Sequence, residues 1–167
     1  HWLQRNLWRE FGTGQLGNWA SHTANLAFMA LKVYELWLAR PGTKDAPPGS
    51  RILRVQAQTS GINRLSFPRW EQITWEVPAR ADLPPIKIQW INGPGPGLEE
   101  LLKKAIQDAP EKQRNLWRFA GTWIVGSKGT IHATGHNAWF RLLPADRFTD
   151  VQCDRPETVE ASHGPEQ

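Results

Sequence analysis

Short segments in which apolar and polar residues alternate recur along this chain of 167 residues, and they constrain its fold more than any other feature. In residues 51–58, Leu53, Val55 and Ala57 lie on one side, and the other side carries Ile52 and three charged or amide residues, Arg54, Gln56 and Gln58. Alternation with a period of two is typical of a strand with one buried face. The pattern predicts six strands, at residues 51–58, 69–77, 86–91, 122–125, 130–134 and 139–143.

Glycine and proline residues separate these segments. Residues 126–129 have the composition of a tight hairpin turn, and the five Gly/Pro residues at 93–97 can join neither a ladder nor a helix. A short amphipathic helix is predicted at 98–106, where Glu99 and Lys103 stand at i and i+4. Together these features predict an α+β fold, an open and largely antiparallel sheet of about six strands with helices packed on one face.

Composition excludes several classes of protein. The single cysteine, Cys153, cannot form an internal disulfide, and no run approaches the roughly 20 apolar residues of a membrane helix, so no membrane partner is expected. The net charge is +4, but the basic residues are scattered rather than clustered, and no nucleic-acid partner is expected. Ten tryptophans indicate a thick core, an interface or a surface on which sugars stack.

The early glycine-rich stretch at residues 12–25 carries the candidate site. A helix that runs from about Gly14 to Leu31 would place Asn18, His22 and Asn25 on one face, at i, i+4 and i+7. Its other positions are mostly apolar, so the helix is expected to be buried nearly all round. Two interpretations of His22 stay open: a core histidine with satisfied hydrogen bonds, or a site histidine held on a rigid element.

The same stretch contains the spacing Gly12-x-Gly14-x-x-Gly17, which matches a dinucleotide-binding fingerprint. That fingerprint requires a β-strand directly before it and a βαβ unit around it. Residues 5–11 are polar and aromatic, and no apolar strand fits there. We therefore interpret the glycines as a turn that does not bind a nucleotide.

Four segments carry a family resemblance. Residues 8–22, WREFGTGQLGNWASH, resemble the start of the C-terminal domain of the Gfo/Idh/MocA oxidoreductases, where a glycine-rich turn precedes Asp-x-Gly-x-His on a helix. Residues 78–90, 125–130 and 141–144 resemble later parts of the same domain, in the bacterial-type branch, and follow in the same order. The resemblance implies an open sheet whose free face forms an oligomer interface, and an N-terminal dinucleotide-binding domain that is missing from this chain.

The resemblance also implies roles for individual residues. His22 would be the catalytic residue that handles the proton of a substrate hydroxyl while a nicotinamide takes the hydride, and Asn18, Asn25 and Gly14 would contact the substrate. The chain departs from the family pattern, because Asn18 stands where an Asp is usual and Ala20 where a Gly is usual. An amide can orient a hydroxyl or an imidazole but cannot take a proton.

These observations predict the function of the chain. Residues 1–143 would be the substrate and oligomerisation domain of an NAD(P)-dependent oxidoreductase that acts on a sugar, a cyclitol or a derivative. Residues 144–167 would be a polar, acidic tail cut before a following helix. The alternatives are an NAD-dependent glycoside hydrolase of the same family and a non-catalytic carbohydrate-binding or scaffold protein.

Further expectations follow from this prediction. The fragment alone is expected to be inactive and to bind neither NAD nor NADP, and its expected macromolecular partners are the missing dinucleotide domain and a second copy of itself, bound through the open sheet face. No metal site is expected, since His132 and His136 flank a glycine and lack a third ligand. The compartment stays open between the cytoplasm and the periplasm.

Overall fold

The computed structural model describes residues 6–38, 53–80, 83–100, 103 and 121–152. Three helical segments come first, and the named elements that follow in the described residues are six strands and a 3₁₀ helix, with a further helical segment at residues 98–100 between β3 and β4. Their bounds are α1 (Gly14–Thr23), α2 (Asn25–Ala30), α3 (Glu35–Leu38), β1 (Arg54–Thr59), β2 (Glu71–Val77), β3 (Ile86–Asn92), β4 (Gly121–Val125), β5 (Thr130–Thr134), β6 (Phe140–Leu143) and the 3₁₀ helix (Ala145–Phe148).

The first sheet has the antiparallel order β1-β2-β3. Its register pairs Ile73 with Trp90 and Trp75 with Ile88. Because facing residues in a ladder point to the same side, most apolar positions of the three strands share one face, which Glu71 and Asn92 join at its end. Trp90 donates its indole N–H to Glu71 Oε1 at 3.0 Å, which satisfies the polar atom of this half-buried ring.

The second sheet has the antiparallel order β4-β5-β6. The predicted hairpin turn at residues 126–129 is confirmed, with the Gly126 amide donating to the Gly129 carbonyl at 2.9 Å. A Cβ on Gly129 would lie 2.6 Å from the ring of Phe148, so this turn needs a glycine for the 3₁₀ helix to pack against it. Ala133 and Leu143 are fully buried in this part of the molecule.

The early helix differs from the prediction in two ways. It is divided at Ala24 into α1 and α2, although the Ala24 and Phe28 amides still donate to carbonyls four residues earlier. The expected burial on nearly all sides is wrong, since α2 has no buried residue and Met29 is 58% exposed. Among the described elements, α1 packs on β3 and α2 on β4.

Arg80 holds the end of α2 against the connection between β2 and β3. Its guanidinium, only 5% exposed, donates to the carbonyls of Leu31 and Pro84. Burial lowers the pKa of Arg80 from its ordinary value, and the Glu35 charge opposes that effect. A cation at the C-terminal end of a helix satisfies carbonyls that have no partner within the helix. Val33 lies close in sequence to Leu31 and Val77 lies close to Arg80, and both valines are buried.

The α+β class and all six strands are confirmed. The described residues form two three-stranded ladders, so a single six-stranded sheet stays a prediction. Residues 98–100 and 103 are helical, and the rest of the predicted helix at 98–106 lies outside the described residues. The predicted tail begins with ordered structure in the 3₁₀ helix, and residues 153–167 lie outside the described range. None of the described helices is long and apolar enough to span a membrane.

Candidate functional site

Three hydrogen bonds fasten the C-terminal end of α1 to the second sheet. The Thr23 hydroxyl donates to the Gly135 carbonyl at 2.9 Å, and the Thr122 hydroxyl donates to the Thr23 carbonyl. The Asn137 side-chain amide donates to the carbonyl of His22. We refer to these three bonds as the α1 clamp. They place the last turn of α1 beside the turn between β5 and β6.

The sequence of the β5–β6 turn explains its shape. The Asn137 amide donates to the Thr134 carbonyl at 2.8 Å, which closes a turn with Gly135 and His136 at its centre. Asn137 has φ of 56°, a left-handed conformation that asparagine tolerates better than most residues. The Ala138 amide donates to the Thr134 hydroxyl at 3.0 Å and fixes the exit of the turn. His136 is therefore presented outward on a defined backbone.

The clamp brings His22 and His136 together, and we refer to these two residues as the histidine pair. Their ring centroids are 5.3 Å apart, and the rings are tilted by 54°. The Trp19 ring lies 5.0 Å from His136 and 6.2 Å from His22. Both histidines are exposed, and no described residue hydrogen-bonds either imidazole. The interpretation of His22 as a satisfied core histidine is therefore wrong.

The other predicted site residues are distributed along the helices. Asn18 is one helical turn before His22, and Asn25 begins α2 and is exposed. No described residue hydrogen-bonds the side-chain amide of either asparagine. Gly14 is buried at φ of 75°, and a Cβ there would lie 2.9 Å from the Phe67 ring. Packing accounts for this glycine, and a substrate contact there stays a prediction.

The glycine-rich turn lacks the surroundings of a dinucleotide site. A Cβ on Gly17 would lie 2.5 Å from Cβ of Thr13, so the turn has no room for a larger residue at this position. In the described residues before the turn, Trp8 forms only an isolated bridge to Ser66, and no strand leads into α1. A pyrophosphate loop requires that strand. The described residues before α1 supply no such strand.

A third histidine, His132, lies in the second sheet in a different environment. It is 2% exposed, and neither ring nitrogen has a hydrogen-bond partner among the described residues. The Trp123 ring stacks on it at 4.1 Å between centroids, and Trp139 approaches edge-on at 6.1 Å. Burial first, and the Arg141 charge second, lower the pKa of His132 from its ordinary 6.5. The side chain is held neutral and takes no part in the histidine pair.

His132 and His136 are four positions apart but have different surroundings, since the structure buries the first and places the second beside His22. Asn137, which makes the bond that aligns them, is 115 positions from His22. No local pattern signals such a contact. No group of three or more His, Cys, Asp or Glu side chains with metal-binding geometry occurs among the described residues.

The fold and this site define an α+β protein with a solvent-facing pair of histidines at a junction between a helix and a sheet. A comparison with models of protein families gave no match, and a comparison with curated proteins gave none either.

Proposed function

We propose that the chain is the substrate domain of an NAD(P)-dependent oxidoreductase of the Gfo/Idh/MocA type that acts on a sugar, a cyclitol or a derivative. The observation that carries the proposal is the environment of His22. This imidazole is exposed, has no hydrogen-bond partner among the described residues and lies at a helix end fixed by the α1 clamp. A catalytic base needs this combination of a rigid backbone and a nitrogen free for substrate.

The surroundings of His22 suit a polyhydroxylated substrate. Trp19 presents an aromatic ring within 6.2 Å of His22, and rings of this kind stack on the apolar faces of sugars. Asn18, one turn earlier, offers a donor and an acceptor that could orient a hydroxyl. His22 in its neutral form would accept the proton of that hydroxyl. The hydride acceptor would be held by a dinucleotide domain outside this chain.

A matched pair of variants tests the role of His22. The complete coding sequence that contains this chain would be expressed and assayed with NAD and NADP against a panel of sugars and cyclitols. We expect His22→Ala to lower turnover by about 10²–10⁴-fold, because general base catalysis contributes that much. Ser21→Ala is the control, since its hydroxyl bonds only the Asn18 carbonyl and the side chain is exposed.

Thermal unfolding of both variants would show whether the fold is intact. An unchanged melting temperature together with unchanged turnover in His22→Ala would refute the catalytic role. Cofactor that stays bound while glycosides are cleaved without net redox change would favour the hydrolase of the same family. Complete absence of cofactor binding and turnover in the whole protein would refute an enzyme of either kind.

A second candidate function, non-catalytic carbohydrate binding, is favoured by one observation on the second sheet. Trp139 is 45% exposed, and the Arg141 guanidinium lies 4.5 Å from its ring centroid. An exposed indole with a cation over it offers a stacking surface next to hydrogen-bond donors. Trp139→Ala would weaken sugar binding by the chain under this alternative and leave binding unchanged under the first.

A further inference from the structure

We propose that the histidine pair, His22 and His136, is a binding site for a divalent transition-metal ion such as Zn²⁺, with water in the remaining coordination positions. Imidazole is a preferred ligand of Zn, Co, Ni and Cu, whereas Mg and Ca prefer oxygen. The site shares His22 with the proposed oxidoreductase activity, and an ion bound there would occupy an imidazole nitrogen of the proposed base.

The separation of the two rings matches a shared ion. With metal–nitrogen distances of about 2.0–2.1 Å, and about 1.1 Å from each nitrogen to its ring centroid, two imidazoles on one tetrahedral ion have centroids about 5 Å apart. The observed separation is 5.3 Å. Both side chains are exposed, and rotation about the bond to an imidazole ring is soft, so each ring can turn a nitrogen toward a common point.

The backbone on both sides of the site is already fixed. Thr23 and Asn137, the immediate neighbours of the two histidines, carry the hydrogen bonds that join α1 to the β5–β6 turn. Binding therefore does not require a loop to be ordered, and a preorganised site loses less entropy when it binds. The Trp19 ring covers one side of the pair and restricts the directions that the two imidazoles can take.

Cobalt titration of the chain tests the site, because protein-bound Co²⁺ has a visible absorption band that reports its ligands. The reference protein would carry His1→Gln and His163→Gln, which remove the two histidines outside the described residues. We expect saturable binding of one ion per chain, displacement by Zn²⁺ and no displacement by Mg²⁺. His22→Gln or His136→Gln should each raise the apparent Kd by roughly tenfold or more, since either removes half of the protein ligands.

Melting curves without metal would confirm that both Gln variants fold, as expected for exposed side chains. His132 is present in the reference protein and in both Gln variants, so a loss of the Co²⁺ absorption in a variant cannot be ascribed to His132. The proposal is overturned if the reference protein shows no saturable Co²⁺ binding below about 1 mM, or if both variants bind within about twofold of the reference, a difference of under about 0.5 kcal/mol.

Discussion

Replacing His132 by a phenylalanine should stabilise the protein. The imidazole is buried, and neither of its nitrogens has a hydrogen-bond partner among the described residues. An unsatisfied buried polar group costs about 1–3 kcal/mol, so two such groups cost about 2–6 kcal/mol. The phenyl ring is larger than the imidazole, and overpacking of a core costs about 1–3 kcal/mol, which offsets part of this gain in stability. The space around the ring is limited, since even a Cβ on Gly121 would lie 3.0 Å from His132 Nε2. We expect a net gain of about 1–3 kcal/mol in the free energy of unfolding at pH 8.

The gain should grow as the pH falls. The pKa of His132 is lowered from 6.5 in the folded protein, mainly by burial and also by the Arg141 charge, so below pH 6.5 the unfolded chain binds a proton that the folded chain does not. The wild type then loses stability by up to about 1.4 kcal/mol per pH unit until the folded-state pKa is reached. The phenyl ring of the His132→Phe variant does not titrate, so that part of the pH dependence disappears.

Urea unfolding at several pH values between 8 and 5, followed by tryptophan fluorescence, measures both effects. His136→Phe is the matched control: it alters an exposed histidine four positions away and should change the free energy of unfolding at pH 8 much less. The reasoning would be refuted if His132→Phe lowered the free energy of unfolding by more than about 1 kcal/mol at pH 8 and this free energy varied with pH as it does in the wild type. That result would show that the two nitrogens have a partner such as a bound water.

Three further predictions concern cofactor, association and the buried arginine. The chain alone should bind neither NAD(H) nor NADP(H), because the glycine-rich turn lacks a preceding strand; micromolar binding in a calorimetric titration would contradict this. The chain should dimerise through the apolar face of the first sheet, where Trp75 and Trp90 lie, and light scattering across a dilution series would disprove it by showing a monomer throughout. Arg80→Ala should lower the free energy of unfolding by about 2–3 kcal/mol, since the Leu31 carbonyl loses a charged donor, whereas the exposed Arg69→Ala should have little effect in the same urea experiment.

The strands could be predicted from the sequence because alternation is a local property. Val55, Ile73 and Ile88 each occupy an apolar position within their own segment, and the ladders place such positions on a common face. The sequence also predicts that the free face of the sheet carries Trp70, Trp75, Trp90 and Trp139, and the structure matches this only in part. Trp75 and Trp90 share a face of the first sheet, whereas Trp139 lies beside the second. Trp70 packs on the Gly/Pro loop at residues 93–97, where a Cβ on Gly95 would lie 3.0 Å from the Trp70 ring.

The site was predictable only in part. His22 could be selected because a polar residue in an apolar helical run requires an explanation within that run. His136 could not be selected, since its relation to His22 depends on how the β5–β6 turn docks on α1. The solvent exposure of both residues also depends on tertiary packing, and hydrophobic periodicity alone indicated burial for the helix.

The α1 clamp consists of hydrogen bonds between polar groups, and this has a consequence for the motion of the molecule. Each such bond contributes only about 0.5–1.5 kcal/mol net, because water can replace either partner when the contact opens. The three bonds alone therefore resist a rare local separation of the end of α1 from the β5–β6 turn by only a few kcal/mol, and such a separation would leave the strand ladders intact. Amide hydrogen exchange would detect this as similar, weak protection at the end of α1 and in the β5–β6 turn, with stronger protection within β5. The spacing of His22 and His136 would widen in the opened state, so an ion bound between them would hold the two parts of the protein together.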